Sequence, residues 1–541
     1  MQVQVEGSNL RFADTTVINY IDELKADYEQ RINELQIKQE QQNEKINQLI
    51  EYENKYIVIK EKYDLLIYRR FMRSAEKTAS DENQQLLFTS EAEPVEIPEH
   101  DKEEENKTEV KSYSRKKPGR KPIDAKIPRV EKIIDIEETD KICACGAELT
   151  RIGEETSEKL NIIPMQIFVE KTIRPKYACR HCEGTEDEEE KTVRIAPVQP
   201  SIIPRSIAGS SLLSTIFTQK FEDHLPYYRQ ERQFEQIGVT ISRQDMSNWQ
   251  QHVYKNLAPL FEILEKTVKS GPVIQMDETT VQVMGEEGRE DTQKSYMWLA
   301  RGGPPGKTVL WYVYRQTRAA YHAKIFLEGY SGYLQTDGYE GYDAAIKDMA
   351  GIKHVGCLAH ARRKFFEASK VTKNSKSAEE GMKHIRKLYM IEDELREQKL
   401  DGETFVKERK TRVQPVLEKF RSWLLKRKDE VPPSMLLGKA VNYTLCEWDK
   451  MTAYLESPHL TPDNNACENA IRPFVLGRKN WLFCKSPQGA ESSCGIYSLI
   501  ETAKQNGLVP RNYLMALFEK APLAASPKDW EKLLPWNIFS A

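Results

Sequence analysis

A chain of 541 residues is too long for one hydrophobic core, and at roughly 150 residues per domain it should hold three or four units. It is 39% hydrophobic and 30% charged, has no apolar run near the ~20 residues that span a bilayer, and opens on MQVQVEG without a signal-peptide pattern, so a soluble cytoplasmic protein with no membrane partner is expected. The net charge of -3 excludes a uniformly basic nucleic-acid binder, although basic and acidic stretches alternate, and nine cysteines are too sparse for a secreted disulfide scaffold.

From about Val17 to Arg73 the chain is rich in Glu, Lys and Gln, with Ile21, Leu24, Tyr28, Ile32, Leu35, Ile46, Leu49 and Tyr56 three and four residues apart. This predicts a long helix in residues 1–79. Its apolar stripe would be buried by a coiled coil with a second copy, a homo-oligomer; the alternative is a lone solvated helix or helical hairpin. Residues 80–128 have the composition of a disordered linker. Within it, KSYSRKKPGRKP sets Lys111, Arg115, Lys116, Lys117, Arg120 and Lys121 around Pro118 and Gly119, either a strip for DNA phosphates or a merely solvated basic run.

Residues 129–198 hold Cys143, Cys145, Cys179 and Cys182, a CxC and a CxxC pair that can close a tetrahedral thiolate site around a structural Zn2+, with His181 as a substitute ligand. A closed site of this kind would fold a small DNA-binding module. The acidic tract Glu183 to Glu190 reads as a solvated loop. Residues 199–270 are helical; two amphipathic stretches flank Gly238, with Ser242 placed to cap the second, so they form either a DNA-binding helix-turn-helix or plain helical packing.

After Gly271 the apolar period becomes that of strands: VIQMDETTVQV, SYMWLA and TVLWYVY predict a three-strand meander. AAYHAKIFLEGY then reads as a helix, followed by a short strand ending at Asp337, a helix from Tyr339 to Met349 and the strand-like HVGCLAH. A charged helical insertion at about 370–456 precedes TPDNNACENAIRP, read as the start of a helix with Thr461 as cap and Pro462 in its first turn. These parts assign 271–490 to one catalytic domain and 491–541 to a carboxyl-terminal helical region.

Asp277 lies mid-strand, where a buried charge needs a partner or a metal, Asp337 ends the fourth strand, and Glu468 lies on the helix after the insertion. Three converging carboxylates repel one another unless cations sit among them, and ligation by oxygen alone favours Mg2+ or Mn2+. Two such ions would clamp the attacking and leaving oxygens of an in-line displacement at phosphorus. Arg472 is one turn beyond Glu468, where it can meet a phosphate. Pro473 removes a helical hydrogen bond, so GRKN is expected as a loop supplying Arg478 and Lys479 to DNA. His360, with Arg362, Arg363 and Lys364, either lines the mouth of this site or caps a strand end. A thiol enzyme built on Cys467 or Cys357 with His360 is set aside, since neither cysteine has an evident activating environment.

In order, IQMDETTVQV, LQTDGYEGY, CLAHARRKFFE, NNACENAIRPFVLGRKNWLF and SLIETAKQNGL resemble the blocks of the insertion-sequence-66 family transposases. LIYRRFMRSAEK, GRKPIDAKIPR, RPKYACRHC, FEDHLPYYRQ and the closing LLPW extend that resemblance over nearly the whole chain. It implies a ribonuclease-H-like domain whose DDE triad falls on Asp277, Asp337 and Glu468. It also implies terminal inverted repeats and target DNA as substrates, and small accessory proteins of the same element as partners. Asn469, where the family often carries Arg, and Cys467 are departures that remove no ligand. The expected whole is multidomain α+β: a coiled coil, a zinc module, a helical DNA-binding region and a ribonuclease-H-like mixed α/β catalytic domain with a helical insertion. The function it implies is that of a transposase, with a nuclease lacking strand transfer and a catalytically silent zinc-dependent repressor as rivals.

Overall fold

A computed structural model describes residues 15–71, 166–178, 193–371 and 376–539. The expected linker, its basic strip including Lys116, Lys117, Arg120 and Lys121, the acidic tract, and Cys143, Cys145, Cys179 and Cys182 lie outside the described residues. The chain divides into two units, 93–198 and the remainder. In the smaller unit, β1 (Lys176–Ala178) pairs antiparallel with β2 (Val193–Ile195), and Arg174 donates to the Ala196 carbonyl at 2.8 Å.

The larger unit begins with α1 (Thr15–Phe71), whose Tyr20, Leu24, Tyr28, Ile32 and Leu35 are exposed. Four helices follow: α2 (Ser210–Phe221), α3 (Tyr227–Gln236), α4 (Arg243–Asn256) and α5 (Ala258–Val268). Gly238, at φ +81, makes the turn between α3 and α4 that a side chain would strain. Ser242 caps α4 as its sequence predicts, in a reciprocal box with Asp245.

The meander is β3 (Val273–Val283), β4 (Lys294–Gly302) and β5 (Val309–Arg315), antiparallel throughout. Then come α6 (Ala320–Leu327), β6 (Gly332–Gln335), α7 (Glu340–Ile346) and β7 (Ile352–Val355). The sheet order is β5-β4-β3-β6-β7, with β6 parallel to β3 and β7 parallel to β6. Side chains alternate faces along β3: Met276 and Glu278 join the Trp298 side, under α6 and α7, while Gln275 and Asp277 face the other way.

The strand-like reading of HVGCLAH needs correction after Val355. Cys357 leads directly into α8 (Leu358–Val371), so His360, Arg362 and Arg363 stand on a helix. Leu358, Ala361 and Phe365 are buried at spacings of three and four, and this tertiary packing overrides a short apolar run readable either way. These residues share a core with α9 (Lys376–Glu397), α10 (Gly402–Glu430), α11 (Leu436–Cys446) and α12 (Trp448–Thr452). Arg409, fully buried, ties that body together by donating to the carbonyls of Tyr454, Ser457 and Leu460 and to Glu392. Glu61 of α1 accepts from the Leu436 amide at 3.0 Å.

The chain then returns to the sheet as α13 (Asn465–Trp481), followed by β8 (Phe483–Cys484), α14 (Pro487–Gln505), α15 (Pro510–Lys520) and α16 (Pro527–Lys532). Two expectations fail here. Thr461 is not the cap, because its hydroxyl donates to the Asp463 carbonyl, Pro462 precedes the helix, and Asp463 accepts from the Asn465 amide at 3.1 Å. GRKN is not a loop either: α13 runs through Pro473 to Trp481. An interior proline costs a helix ~3 kcal/mol in isolation. Here Phe474, buried beside it, meets Tyr497 and Trp481 edge-on and keeps the helix continuous.

Candidate active site

The register of β3 against β6 has a constant offset: Val273 faces Tyr333, Ile274 faces Leu334 and Gln275 faces Gln335. The expected place of Asp337 at the end of the fourth strand needs correction: β6 stops at Gln335, and Asp337 lies two residues beyond it, near enough to Asp277 for its charge to act on that carboxyl. An amide chain holds that register: Arg301 donates to Gln275 at 2.8 Å, Gln275 to Gln335 at 2.8 Å, and Gln335 to the Thr461 carbonyl at 2.7 Å. The last link fastens the segment entering α13. Asn464 then donates to the Met276 carbonyl at 2.9 Å and the Cys467 thiol to that of Gln275 at 3.6 Å, bringing Glu468, in the first turn of α13, to the same end of β3.

β6 leaves β3 after Gln275 and β8 joins it only at Gln282, so the stretch between has neither neighbour on that edge. A strand end opening onto a gap of this kind is where ligands collect in open sheets. Gly338 permits close packing beside Asp337, since a Cβ there would lie 2.5 Å from the Tyr443 hydroxyl.

The three carboxylates feel one another. Burial, then the charges of Glu278, Glu468 and Asp337, push the Asp277 carboxyl well above its ordinary range, against a 2.9 Å bond from the Glu278 amide. Each outer carboxylate is turned to a local base. Asp337 Oδ2 is 3.9 Å from Arg318 and its Oδ1 accepts from the Tyr339 amide at 3.1 Å. Glu468 lies 3.5 Å from Arg363 and 3.8 Å from His360 Nδ1. The triad's oxygens are therefore not gathered to the spacing of one ion; within 4.8 Å of one another lie donor atoms of Glu468, Cys357 and His360.

Among the described residues, His360 Nδ1, Arg363 Nε, Asn464 Oδ1, Glu468 Oε1 and Asn469 Oδ1 are buried without a hydrogen-bond partner. Buried polar atoms are nearly always paired, so this concentration around one carboxylate suits a site that takes a polar ligand. Two hard cations fit the donor set, which is all oxygen, mutually repelling and carries an orphaned oxygen on Glu468. Burial draws His360 below its ordinary range, with Glu468 opposing.

Sequence reasoning missed Glu278 and Arg318. Glu278 is buried on the opposite face, where Arg318 and the Tyr342 hydroxyl both bond it. Arg318 spans Glu278 and Asp337 and stacks 3.7 Å from the Tyr339 ring, whose hydroxyl donates to the Arg318 carbonyl at 3.0 Å. The motif DET names Glu278, but nothing in the sequence marks Arg318. Of the expected DNA-binding residues, Arg363 and His360 face Glu468, and Arg472, one turn on, senses its charge. Arg362 is partly buried on α8 and Lys479 is exposed. Arg478 turns onto β3, donating to the Thr280 carbonyl and to both the Thr279 and Thr280 hydroxyls, at 3.2 and 2.9 Å.

A model of the transposase IS66 family matches residues 205–492, and one of the IS66 C-terminal element matches 498–536. A zinc-finger binding domain of transposase IS66 matches 140–183, a span that contains all four clustered cysteines, and a model described as transposase C of IS166 homeodomain matches 59–131. The uncharacterized protein y4jD of Sinorhizobium fredii (strain NBRC 101917 / NGR234) is 33% identical over 422 residues, covering 76% of this chain and 80% of its own. The uncharacterized proteins y4qI and y4hP of the same organism are 31% and 28% identical, covering 77% and 79% of this chain and 77% and 78% of their own. No helix of the described residues is long and apolar enough to cross a membrane.

Proposed function

The chain belongs to the transposase IS66 family, and on that premise we propose that it cuts and joins DNA strands with two divalent cations, Mg2+ or Mn2+, held by Asp277, Asp337 and Glu468. Its domain architecture is that of an insertion-sequence transposase with DNA-binding and catalytic parts and a structural zinc site. The substrates are the element's terminal inverted repeats and a target duplex.

The observation that supports the mechanism is the convergence of charge on the buried Asp277 carboxyl: Asp337, just past the end of β6, and Glu468, brought in by the anchoring of α13 on β3, both act on it. Three antiparallel strands followed by two parallel ones, with helices between, support a ribonuclease-H-like domain. When bound, the two cations supply an activated water or 3'-hydroxyl on one side of the phosphorus and stabilise the departing oxygen on the other. The chain's own residues do the rest. Asp277 is fixed by the Glu278 amide and Asp337 by the Tyr339 amide. Arg318 holds Asp337 from outside, while Arg363 and Arg472, on α8 and α13, flank Glu468 where a phosphate would enter. The exposed apolar stripe of α1 supports self-association through a coiled coil.

The test uses a labelled duplex carrying one terminal repeat, incubated with the full chain and Mg2+. Asp337→Asn and Glu468→Gln are expected to bind the repeat like the parent and to lose cleavage by about 100-fold or more. Cleavage that survives both changes overturns the mechanism. Nicked product without joined strands would instead assign the chain to hydrolysis alone.

A further inference from the structure

Cys357 and His360 sit one helical turn apart at the start of α8, and Glu468 faces them from the first turn of α13. The Cys357 sulfur, the imidazole nitrogen and the carboxylate oxygen lie within 4.8 Å of one another. We propose that Cys357, His360 and Glu468 form a second metal site, for a thiophilic cation of the Zn2+ type, which shuts the enzyme down by taking Glu468 away from the catalytic cations. The inhibitory half rests on the catalytic role proposed for Glu468; the binding half does not.

The donor set is one sulfur, one nitrogen and one oxygen, which suits zinc and not magnesium. Tetrahedral zinc spaces such donors ~3.3–3.7 Å apart, and His360 Nδ1 already stands 3.8 Å from Glu468 Oε1. Those two atoms are both buried and lack a hydrogen-bond partner among the described residues, so they face each other with unused bonding capacity. Cys357 is 1% exposed and receives the Asn464 amide at 3.3 Å. Burial, then the charges of Asp463 and Glu468, push the thiol well above its ordinary range against this bond, so the sulfur stays protonated until a cation displaces the proton. On binding, the ion displaces the thiol proton to solvent and leaves a fourth position for water.

Zinc on Oε1 takes one of the two Glu468 oxygens from the catalytic cations and draws the carboxylate toward α8. Its Oε2 lies toward Arg363, at 3.5 Å, and its Oε1 toward His360, so engagement with zinc fixes it on the α8 side.

The experiment compares the full chain with Cys357→Ser, in which the hydroxyl still accepts the Asn464 amide but ligates zinc poorly. Each is dialysed against Zn2+ alone and its metal content counted by mass spectrometry. The parent is expected to hold one zinc more than the variant, and Co2+ substitution to give weaker thiolate-to-metal absorption in the variant, by the share of one cobalt–sulfur bond. Zn2+ is then titrated into the Mg2+-dependent cleavage reaction. Half-inhibition should need at least tenfold more Zn2+ for Cys357→Ser, whose activity without zinc matches the parent. Equal zinc content, or equal sensitivity to inhibition, overturns the proposal. Cys357→Ala, checked by its melting curve, gives the same readouts should the serine variant fold poorly. Loss of parent cleavage in Mg2+ alone would count against the catalytic reading and leave the zinc count to decide this one.

Discussion

Replacing Asp277 by Asn should make the protein more stable and less able to bind metal. The side chain is nearly isosteric and keeps an oxygen for the Glu278 amide, which now bonds the carboxylate at 2.9 Å. What disappears is a charge facing Glu278, Glu468 and Asp337. Two unit charges ~5 Å apart repel by about 3 kcal/mol at an effective dielectric of 20. Arg318 and Arg363 offset part of that from outside, at 3.9 Å from Asp337 and 3.5 Å from Glu468, leaving a net gain of ~1–2 kcal/mol. For a domain of ~150–250 residues this raises the melting temperature by roughly 2–8 °C. The sign with pH follows from the raised pKa of Asp277 in the fold. Its stabilising contribution is complete below the carboxylate range of the unfolded chain and is lost as pH rises through the folded value, so the advantage of Asn grows with pH. Adding Mn2+ reverses the order: the parent gains ~2.7 kcal/mol at a hundredfold excess over its dissociation constant, and the variant gains little. Differential scanning calorimetry with and without Mn2+ reads both effects. A variant that melts below the parent without metal and gains the same increment with it would refute the reasoning.

Arg318→Met should destabilise by about 1–2 kcal/mol in a urea titration, less than the 3–5 of a fully buried pair because Arg318 is partly exposed; adding Glu278→Gln should recover most of the loss. Arg409→Met strands three carbonyls and Glu392 in the helical body, for an expected cost of ~3–5 kcal/mol by the same titration, and a cost below 1 would contradict its role. Cys179→Ser should lower bound zinc and weaken binding to the terminal repeat in gel shift, while the main helical melting transition stays in place because the zinc-finger span belongs to the other unit.

Much of the sheet that carries the candidate site was legible because it is written in local pattern. Alternation in VIQMDETTVQV, SYMWLA and TVLWYVY gave the meander, and a carboxylate at mid-strand or strand end stood out against it. What escaped depends on contacts distant in sequence. Pro473 looks like a helix breaker until Phe474 is seen buried against Tyr497 and Trp481. CLAH reads as a strand until Leu358 and Phe365 are seen in the core shared with α9 and α10. Arg318 resembles any surface arginine, since its partners Glu278 and Asp337 lie 40 residues before and 19 after it, joined only by the sheet. Gln275 and Gln335 gave no signal, yet their bond ties β3 to β6 two residues before Asp277 and Asp337.

Crystals grown in Mn2+ and recorded at the manganese absorption edge test the central claim most directly. Two anomalous peaks about 3.5–4 Å apart, touching carboxylate oxygens of Asp277, Asp337 and Glu468, are the predicted result. Manganese bound elsewhere, with those three side chains ligating nothing, would contradict it.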